Sequence, residues 1–300
     1  LNIYGDAMVT FDPEEMGSFI ASRDDISEGA VVLLRRVDAS EAPQWGCAAV
    51  DKNGRILKFV EKPTKGMSVT LEQRKEILAK DNLLIDGQYV LMNTAFGIFG
   101  GDSMVRLFQL AGVVVTKEGN IIIDNNGDLV FAENSVYERI LKFGGELDTF
   151  GHIIPFMARD TNPKNAIFGE AFNVISSESD IHHHLIDLVA GHISEGSVAP
   201  TLVQSIDALI DSLESSIRQE SSEALRKQKI SELLPLGRVG MFALMWQILR
   251  QGGKGGVLWG AQIDGEWLDT GRTNEEMDII LGKGKEAQRM MKVFGFKKSI

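Results

Sequence analysis

Asp6 in "YGDAMV", the pair Glu61-Lys62 in "FVEKP" and Asp269 in "EWLDTG" each stand just beyond a strand-like run. In open α/β sheets, ligands bind outside the carboxyl ends of the strands. Two aspartates at two such ends, Asp6 and Asp269, can converge on one Mg²⁺, which takes few carboxylates and completes its shell with phosphate oxygens and water. Lys62 would add a positive charge for a phosphate, and Glu61 a carboxylate for sugar hydroxyls. Each residue alone also reads as a turn cap, because an Asp after a strand readily bonds its own backbone. Their order and types together point to metal-assisted chemistry on a phosphate.

The elements that must position them alternate along the first hundred residues. "DPEEMGSFIAS" opens with Asp12 as a cap, Pro13 at the first helical position and two glutamates in the first turn, so a helix is predicted over 12–22. "GAVVLLRRV" is a short β-rich run of the kind buried in a central sheet. "WGCAAVDKNGRILKFVEKP" reads as two strands joined at Asn53-Gly54, and "YVLMNTAFGIFG" as another strand leading into the helical "DSMVRLFQLAG". "GNIIIDNNGDLVF" makes a second hairpin at Asn126-Gly127. Its "DNNGD" is not read as a calcium loop, because Leu129 and Ser135 fall where Gly and Glu are needed. The late run "GGVLWGAQIDGEWLDTG" reads as a strand, an Asp264-Gly265 turn and a short second strand, with a helix capped by Thr273 or Asn274 after it. This alternation predicts a mixed α/β sheet.

Bulk properties narrow the class. Three hundred residues with a formal net charge of −11 argue against wholesale binding to nucleic acid or an anionic membrane, where a basic face is expected. Cys47 is the single cysteine, so no internal disulfide forms and a reducing, cytoplasmic compartment fits. The most apolar run, "VGMFALMWQIL", is shorter than the roughly 20 residues a membrane helix needs. Residues 161–236 read as an acidic helical insertion carrying five Lys/Arg against eleven Asp/Glu. Within it, Val203, Ile206, Leu209, Leu213 and Ile217 share one helical face, with Thr201 and Gln204 placed as a capping box. The histidines at 182, 183, 184 and 192 invite a metal reading, but consecutive helical residues diverge by about 100° and cannot all face one ion. Solvated or capping histidines are the preferred reading.

Taken together, "YGDAMV", "GAVVLLRRVDASEAPQWGCAAVDKNGRILKFVEKP", "LMNTAFGIF", "DTFGHIIPFM" and "GEWLDTG" resemble the sugar-1-phosphate nucleotidyltransferases. The likeness covers residues 1 to about 160 and 237 to 280, and "DTFGHIIP" is most similar to the glucose-1-phosphate adenylyltransferase branch. It implies a mainly parallel, Rossmann-like (GT-A-like) sheet with flanking helices in a domain formed by 1–160 and 237–280, with 161–236 inserted and 281–300 as a carboxy-terminal helix or tail. It also implies that Asp6 and Asp269 ligate Mg²⁺ and act with Lys62 in catalysis. Trp45, Gly46, Glu61, Lys62, Asn93 and Thr94 would bind substrate, with Gly46 lending its backbone to the sugar and Asn93 meeting a sugar hydroxyl. The implied partners are a nucleoside triphosphate and a sugar 1-phosphate, and relatives assemble as homo-oligomers.

The chain also departs from the family pattern. The glycine-rich signature loop with its catalytic Arg is expected before Leu1, and without it the chain as given is expected to be inactive alone. Trp45 stands where the family often has Tyr, and Ala95 follows Asn93-Thr94 where Gly is usual. Retention of both aspartates and of Glu61-Lys62 favours an enzyme; the absent loop and Ala95 favour a non-catalytic relative that binds a sugar phosphate or nucleotide sugar. A glycosyltransferase with a metal-binding Asp-x-Asp ranks last, because no such pair stands in the expected setting.

Overall fold

A computed structural model describes residues 2–3, 7–9, 11–116, 118–144, 147–194, 196–250, 256–265 and 267–269, of which 2–3, 7–9 and 267–269 are described in backbone only. In chain order the first elements are β1 (Asn2–Ile3), β2 (Ala7–Val9), α1 (Pro13–Ala21), β3 (Ala30–Asp38), β4 (Cys47–Val50), β5 (Ile56–Val60), α2 (Leu71–Lys80), β6 (Tyr89–Phe99) and α3 (Gly101–Leu110). They are followed by α4 (Val136–Phe143), α5 (Ile154–Met157), α6 (Pro163–Val174), α7 (Asp180–His192), β7 (Ile193–Ser194), β8 (Ser197–Val198), α8 (Leu202–Gln219) and α9 (Glu223–Leu249). β9 (Leu258–Gln262) and β10 (Trp267–Asp269) close the described chain. The expected helix start at 12–22 is found: Asp12 accepts from the N–H groups of Glu14 and Glu15, with Pro13 in the first turn.

Two compact units result, one drawn from Leu1–Ile26, Ala30–Phe99 and Trp259–Ile300, the other from Ser27–Gly29 and Gly100–Leu258. The first holds the sheet, in the order β5-β4-β6-β3-β9, with β1 also paired to β6. β2 and β10 form a separate two-stranded sheet. The α/β class is as read from the sequence. The pairs β1–β6, β3–β6, β4–β6 and β4–β5 all run antiparallel. Alternating strands and helices suggested crossovers to parallel neighbours. The hairpin expected at Asn53-Gly54 joins β4 and β5, and β6 runs antiparallel to both β4 and β3.

Both faces of this sheet are covered. Val37, Cys47, Leu78, Leu83, Val90 and Met92 form one buried cluster, to which α2 contributes Leu78; Met16, Val31, Leu33, Phe96, Ala261 and Ile263 form another, to which α1 contributes Met16. α2 begins with a complete capping box between Thr70 and Gln73.

Both hairpin turns expected from Asn-Gly are present, but not as type I′. Only the glycines take positive φ, +87° at Gly54 and +90° at Gly127. Asp51 Oδ1 accepts from the N–H of Asn53 and of Arg55, and Asp124 Oδ1 from those of Asn126 and Asp128. The signal is therefore D-x-N-G: the Asp side chain closes the turn and Gly takes the left-handed position, as in the longer hairpin loops. These bonds hold the Asp124 carboxyl below its usual range, the backbone N–H of Asp128 contributing most.

The second unit is helical and contains all of 161–236. α4, α6 and α8 pack on α9. Two glycines allow the closest approaches: a side chain at Gly237 would strike the Phe143 ring, and one at Gly240 would meet Arg139. Arg139 itself forms a bidentate pair with Asp207 at 2.8 and 2.9 Å. The capping box expected at Thr201 does not form. Thr201 already has helical backbone angles (φ −81°, ψ −4°), and its side chain makes no cap bond. The buried stripe of α8 is Leu202, Ile206, Ile210 and Leu213, with Val203, Leu209 and Ile217 half-buried beside it. Among the described residues no helix is long and apolar enough to cross a membrane.

Candidate active site

The hairpin of β4 and β5 has its turn at one end and its open end at Gly46 and Glu61. The pairing of Cys47 with Val60 sets Gly46 opposite Glu61. The approach is close enough that a Cβ on Gly46 would lie 2.5 Å from Glu61 Oε2 and 2.5 Å from Phe59 Cζ. On its other side, Gly46 O accepts from Asn93 N at 2.7 Å. Asn93 pairs in turn with Leu34 of β3, and Leu34 O accepts from Ile263 N at 2.9 Å. One row therefore crosses the sheet from Glu61 through Gly46 and Asn93 to Leu34.

Beside that row β6 bulges. Leu34 faces Asn93 but Val32 faces Gly97, so Thr94, Ala95 and Phe96 span the space of Leu33 alone. Thr94 Oγ1 donates to Leu33 O at 2.9 Å, and Asn93 Oδ1 accepts from Ala95 N at 3.0 Å. Ala95 sits at the left-handed position of the bulge with φ +61°, where Gly would be unstrained. Asn93 thus spends its side-chain carbonyl on the bulge. Thr94 is fully buried with its hydroxyl turned into the sheet, so it holds the bulge and presents no polar group outward.

Glu61 and Lys62 follow β5 and pair with each other, Nζ to Oε1 at 3.2 Å, with their side chains 26% and 40% exposed. The other oxygen, Glu61 Oε2, is buried and has no hydrogen-bond partner among the described residues. A buried carboxylate oxygen without a donor is costly, and this one borders Gly46 in the row just described. Its charge also reaches Cys47. Burial chiefly, and then the Glu61 carboxylate, push the Cys47 thiol up to about 12. Trp45 precedes Gly46, is half-buried and packs on the α2-side cluster.

The loop after Lys62 was not singled out from the sequence. Lys62 O accepts from Lys65 N at 3.1 Å, which closes a four-residue turn with Pro63 second and Thr64 third. Thr64 has φ +67°, the hand that a type II turn requires there and that ordinarily selects Gly or Asn. The adjacent "KPTK", with Pro at the second turn position, was the signal available.

Asp269 is described in backbone only, and Asp6 lies outside the described residues. β10 pairs antiparallel with β2 so that Asp269 stands opposite Ala7, the residue that follows Asp6 in the chain. The helix expected from 273 also lies outside the described residues.

Three of the histidines bond within their own helix, and His192 Nε2 also meets Ser205 Oγ of α8 at 3.0 Å. Nδ1 of His183, His184 and His192 each meets the carbonyl four residues back, at 2.9, 2.7 and 3.1 Å. Among the described residues no group of three or more His, Cys, Asp or Glu side chains is placed to hold a metal ion. The "DTFGHIIP" stretch forms a π-helical turn, Thr149–Ile153, closed reciprocally: Asp148 Oδ1 accepts from Gly151 N, and His152 Nδ1 accepts from Asp148 N at 3.0 Å.

Comparison with known proteins bears on this geometry. Residues 3–103 match the family model described as nucleotidyl transferase. The glucose-1-phosphate adenylyltransferase of Mycolicibacterium paratuberculosis is 45% identical to this chain over 58 residues, which is 19% of this chain and 14% of that protein. Residues 3–103, the segment that sets Glu61, Gly46 and Asn93 in one row, are thus similar to the nucleotidyl transferases, while the chain spans only a small part of the relative's length.

Proposed function

We propose that this protein transfers a nucleotidyl group from a nucleoside triphosphate to a sugar 1-phosphate. The observation that carries the reading is Glu61 Oε2, buried and without a partner among the described residues, in one row with Gly46 and Asn93. That oxygen needs a hydroxyl donor, and a sugar supplies one. Lys62 Nζ, pre-set by its pair with Glu61, stands to meet the phosphate of the same molecule. The Asn93 NH₂ and the backbone at Gly46 would fix the sugar ring between them.

In the reaction, a phosphate oxygen of the sugar 1-phosphate attacks the α-phosphorus of the triphosphate. A new P–O bond forms as the bond from that phosphorus to the β-phosphate bridging oxygen breaks, and pyrophosphate leaves. No covalent enzyme intermediate is needed, so these residues contribute by in-line positioning and by neutralising charge. Mg²⁺ would be held by two carboxylates, Asp269, whose backbone pairs with Ala7, and Asp6, which lies outside the described residues. The ion would supply charge neutralisation on the phosphates.

Pyrophosphate release by the full-length protein, with Mg²⁺ and a panel of nucleoside triphosphates and sugar 1-phosphates, tests the reading. Release should collapse in Asp269→Asn, while Glu61→Gln should chiefly raise the KM for the sugar 1-phosphate. No release with any pair, from a folded protein that still binds a sugar phosphate, would refute transfer and leave a binding protein.

A further inference from the structure

The turn after Lys62 contains two departures from ordinary backbone economy. Lys62 and Thr64 both adopt left-handed φ, +47° and +67°, on either side of Pro63. Thr64 is β-branched, and such a residue at positive φ is a genuine outlier. It is also only 5% exposed, and its Oγ1 is buried with no hydrogen-bond partner among the described residues. A glycine would satisfy the turn without strain, and a valine would fill the same space without an orphaned hydroxyl. Threonine incurs both costs in the free protein. Strain of this kind persists where the surroundings impose it, and it concentrates at ligand clamps.

What would use that hydroxyl is close in sequence. Thr64 is held to Lys62 by the Lys62 O to Lys65 N bond and to Met67 by its own carbonyl, at 3.1 Å each. The turn thus couples this orphaned donor to the cation expected on the phosphate. Resting on the function proposed above, we infer that Thr64 is a substrate-binding residue whose hydroxyl donates to a phosphate oxygen of the bound sugar 1-phosphate when the 62–65 turn settles on it. In the free protein the hydroxyl is held in reserve, and the ligand supplies its missing acceptor.

The test compares Thr64→Val, Thr64→Ser and Glu61→Gln with the unsubstituted full-length protein, by calorimetric titration with a sugar 1-phosphate, steady-state KM values and thermal unfolding. Thr64→Val removes the orphaned hydroxyl and keeps the shape, so the free protein should melt at the same or a higher temperature. Its affinity for the sugar 1-phosphate should nevertheless fall about tenfold, the size of one hydrogen bond to a charged group. The KM for the triphosphate should stay unchanged, and Thr64→Ser should retain most of the affinity. A purely structural threonine could not raise stability and weaken one substrate alone. Unchanged sugar-phosphate affinity in Thr64→Val, with Glu61→Gln weakened, would overturn the inference and spare the proposed function. Absence of sugar-phosphate binding by the unsubstituted protein would overturn both.

Discussion

Gly46→Ala tests whether the row across the sheet is as tight as its geometry states. Gly46 does not have positive φ, so an alanine there meets no backbone penalty and the whole effect comes from the added methyl. That methyl would lie 2.5 Å from Phe59 Cζ and 2.5 Å from Glu61 Oε2, about an ångström inside normal contact. The carboxylate is the end of a side chain that can swing. The Phe59 ring, 5% exposed, has nowhere to go. Overpacking of this kind costs about 1–3 kcal/mol, and the lower entropy of the unfolded chain on replacing Gly by Ala returns about 0.4–1 kcal/mol. The net expectation is a loss of about 1–2 kcal/mol, read as a lowered urea midpoint with unchanged slope. Phe59→Leu opens a cavity and is destabilising alone, but joined to Gly46→Ala it makes room for the methyl. The double variant should therefore be more stable than the two losses predict, with a coupling of about 1 kcal/mol. Gly46→Ala at full stability, or strict additivity in the cycle, would refute the close approach and with it the reason for glycine at the site.

Ala95→Gly relieves a left-handed alanine that costs about 1–2 kcal/mol and returns part of the gain through the unfolded state. It should raise stability by about 0.5–1 kcal/mol in chemical denaturation; a loss would show that the alanine methyl contributes more in packing than its backbone costs. In the helical unit, Asp207→Asn should destabilise more than Arg139→Met, because the Arg139 side chain is 8% exposed and Asp207 39%. Removing the carboxylate strands a buried cation, at about 3 kcal/mol, whereas removing the arginine leaves a carboxylate that water can reach; thermal unfolding of both variants decides. Cys47, with its thiol pushed up to about 12 by burial and by Glu61, should resist thiol reagents in the native protein at pH 8. Since the folded form keeps that proton longer than the unfolded chain, stability should fall as pH rises from about 9 toward 12, by at most about 1.4 kcal/mol per pH unit; Cys47→Ala should remove that part of the alkaline loss.

Much of the first unit was legible because its signals are local. Asp12 with Pro13 and the turn at Asn53-Gly54 act through bonds within a few residues, so the types alone locate these elements, as they do the turn at Asn126-Gly127 in the second unit. What distinguishes the site is not local. Glu61, Gly46 and Asn93 are far apart in sequence and meet only because β4 lies between β5 and β6, an order that no periodicity reveals. Pattern likewise could not separate Thr94 from Asn93. Both are polar residues in one strand, and only the bulge turns one hydroxyl onto Leu33 and the neighbouring side-chain carbonyl onto Ala95. At Thr201 the sequence rule fails for a different reason. A capping box needs an extended cap residue, and the turn preceding α8 has already wound Thr201 into helical angles.

Several of the costs in the sheet unit gather at one place. Lys62, Thr64 and Ala95 take left-handed conformations without being glycine, Glu61 Oε2 and Thr64 Oγ1 are buried without partners among the described residues, and Gly46 is pressed against its neighbours. All of them lie on the Glu61–Gly46–Asn93 row or within a few residues of it in the chain. The far end of the β4–β5 hairpin is the opposite: Asp51 closes its turn, and Arg55 and Trp259 both bond Asp25 at 2.6 and 3.0 Å. There the balance at Asp25 still favours the anion. Burial raises the Asp25 carboxyl, but the bonds from Arg55 and Trp259 outweigh it and hold the group below its usual range. At that end the protein itself satisfies the Asp51 and Asp25 carboxylates, whereas Glu61 Oε2 at the open end finds no donor among the described residues. A chain under selection for stability alone would have no reason to keep a strained threonine and an unpaired carboxylate oxygen so close together; a chain that must leave bonds for a ligand would.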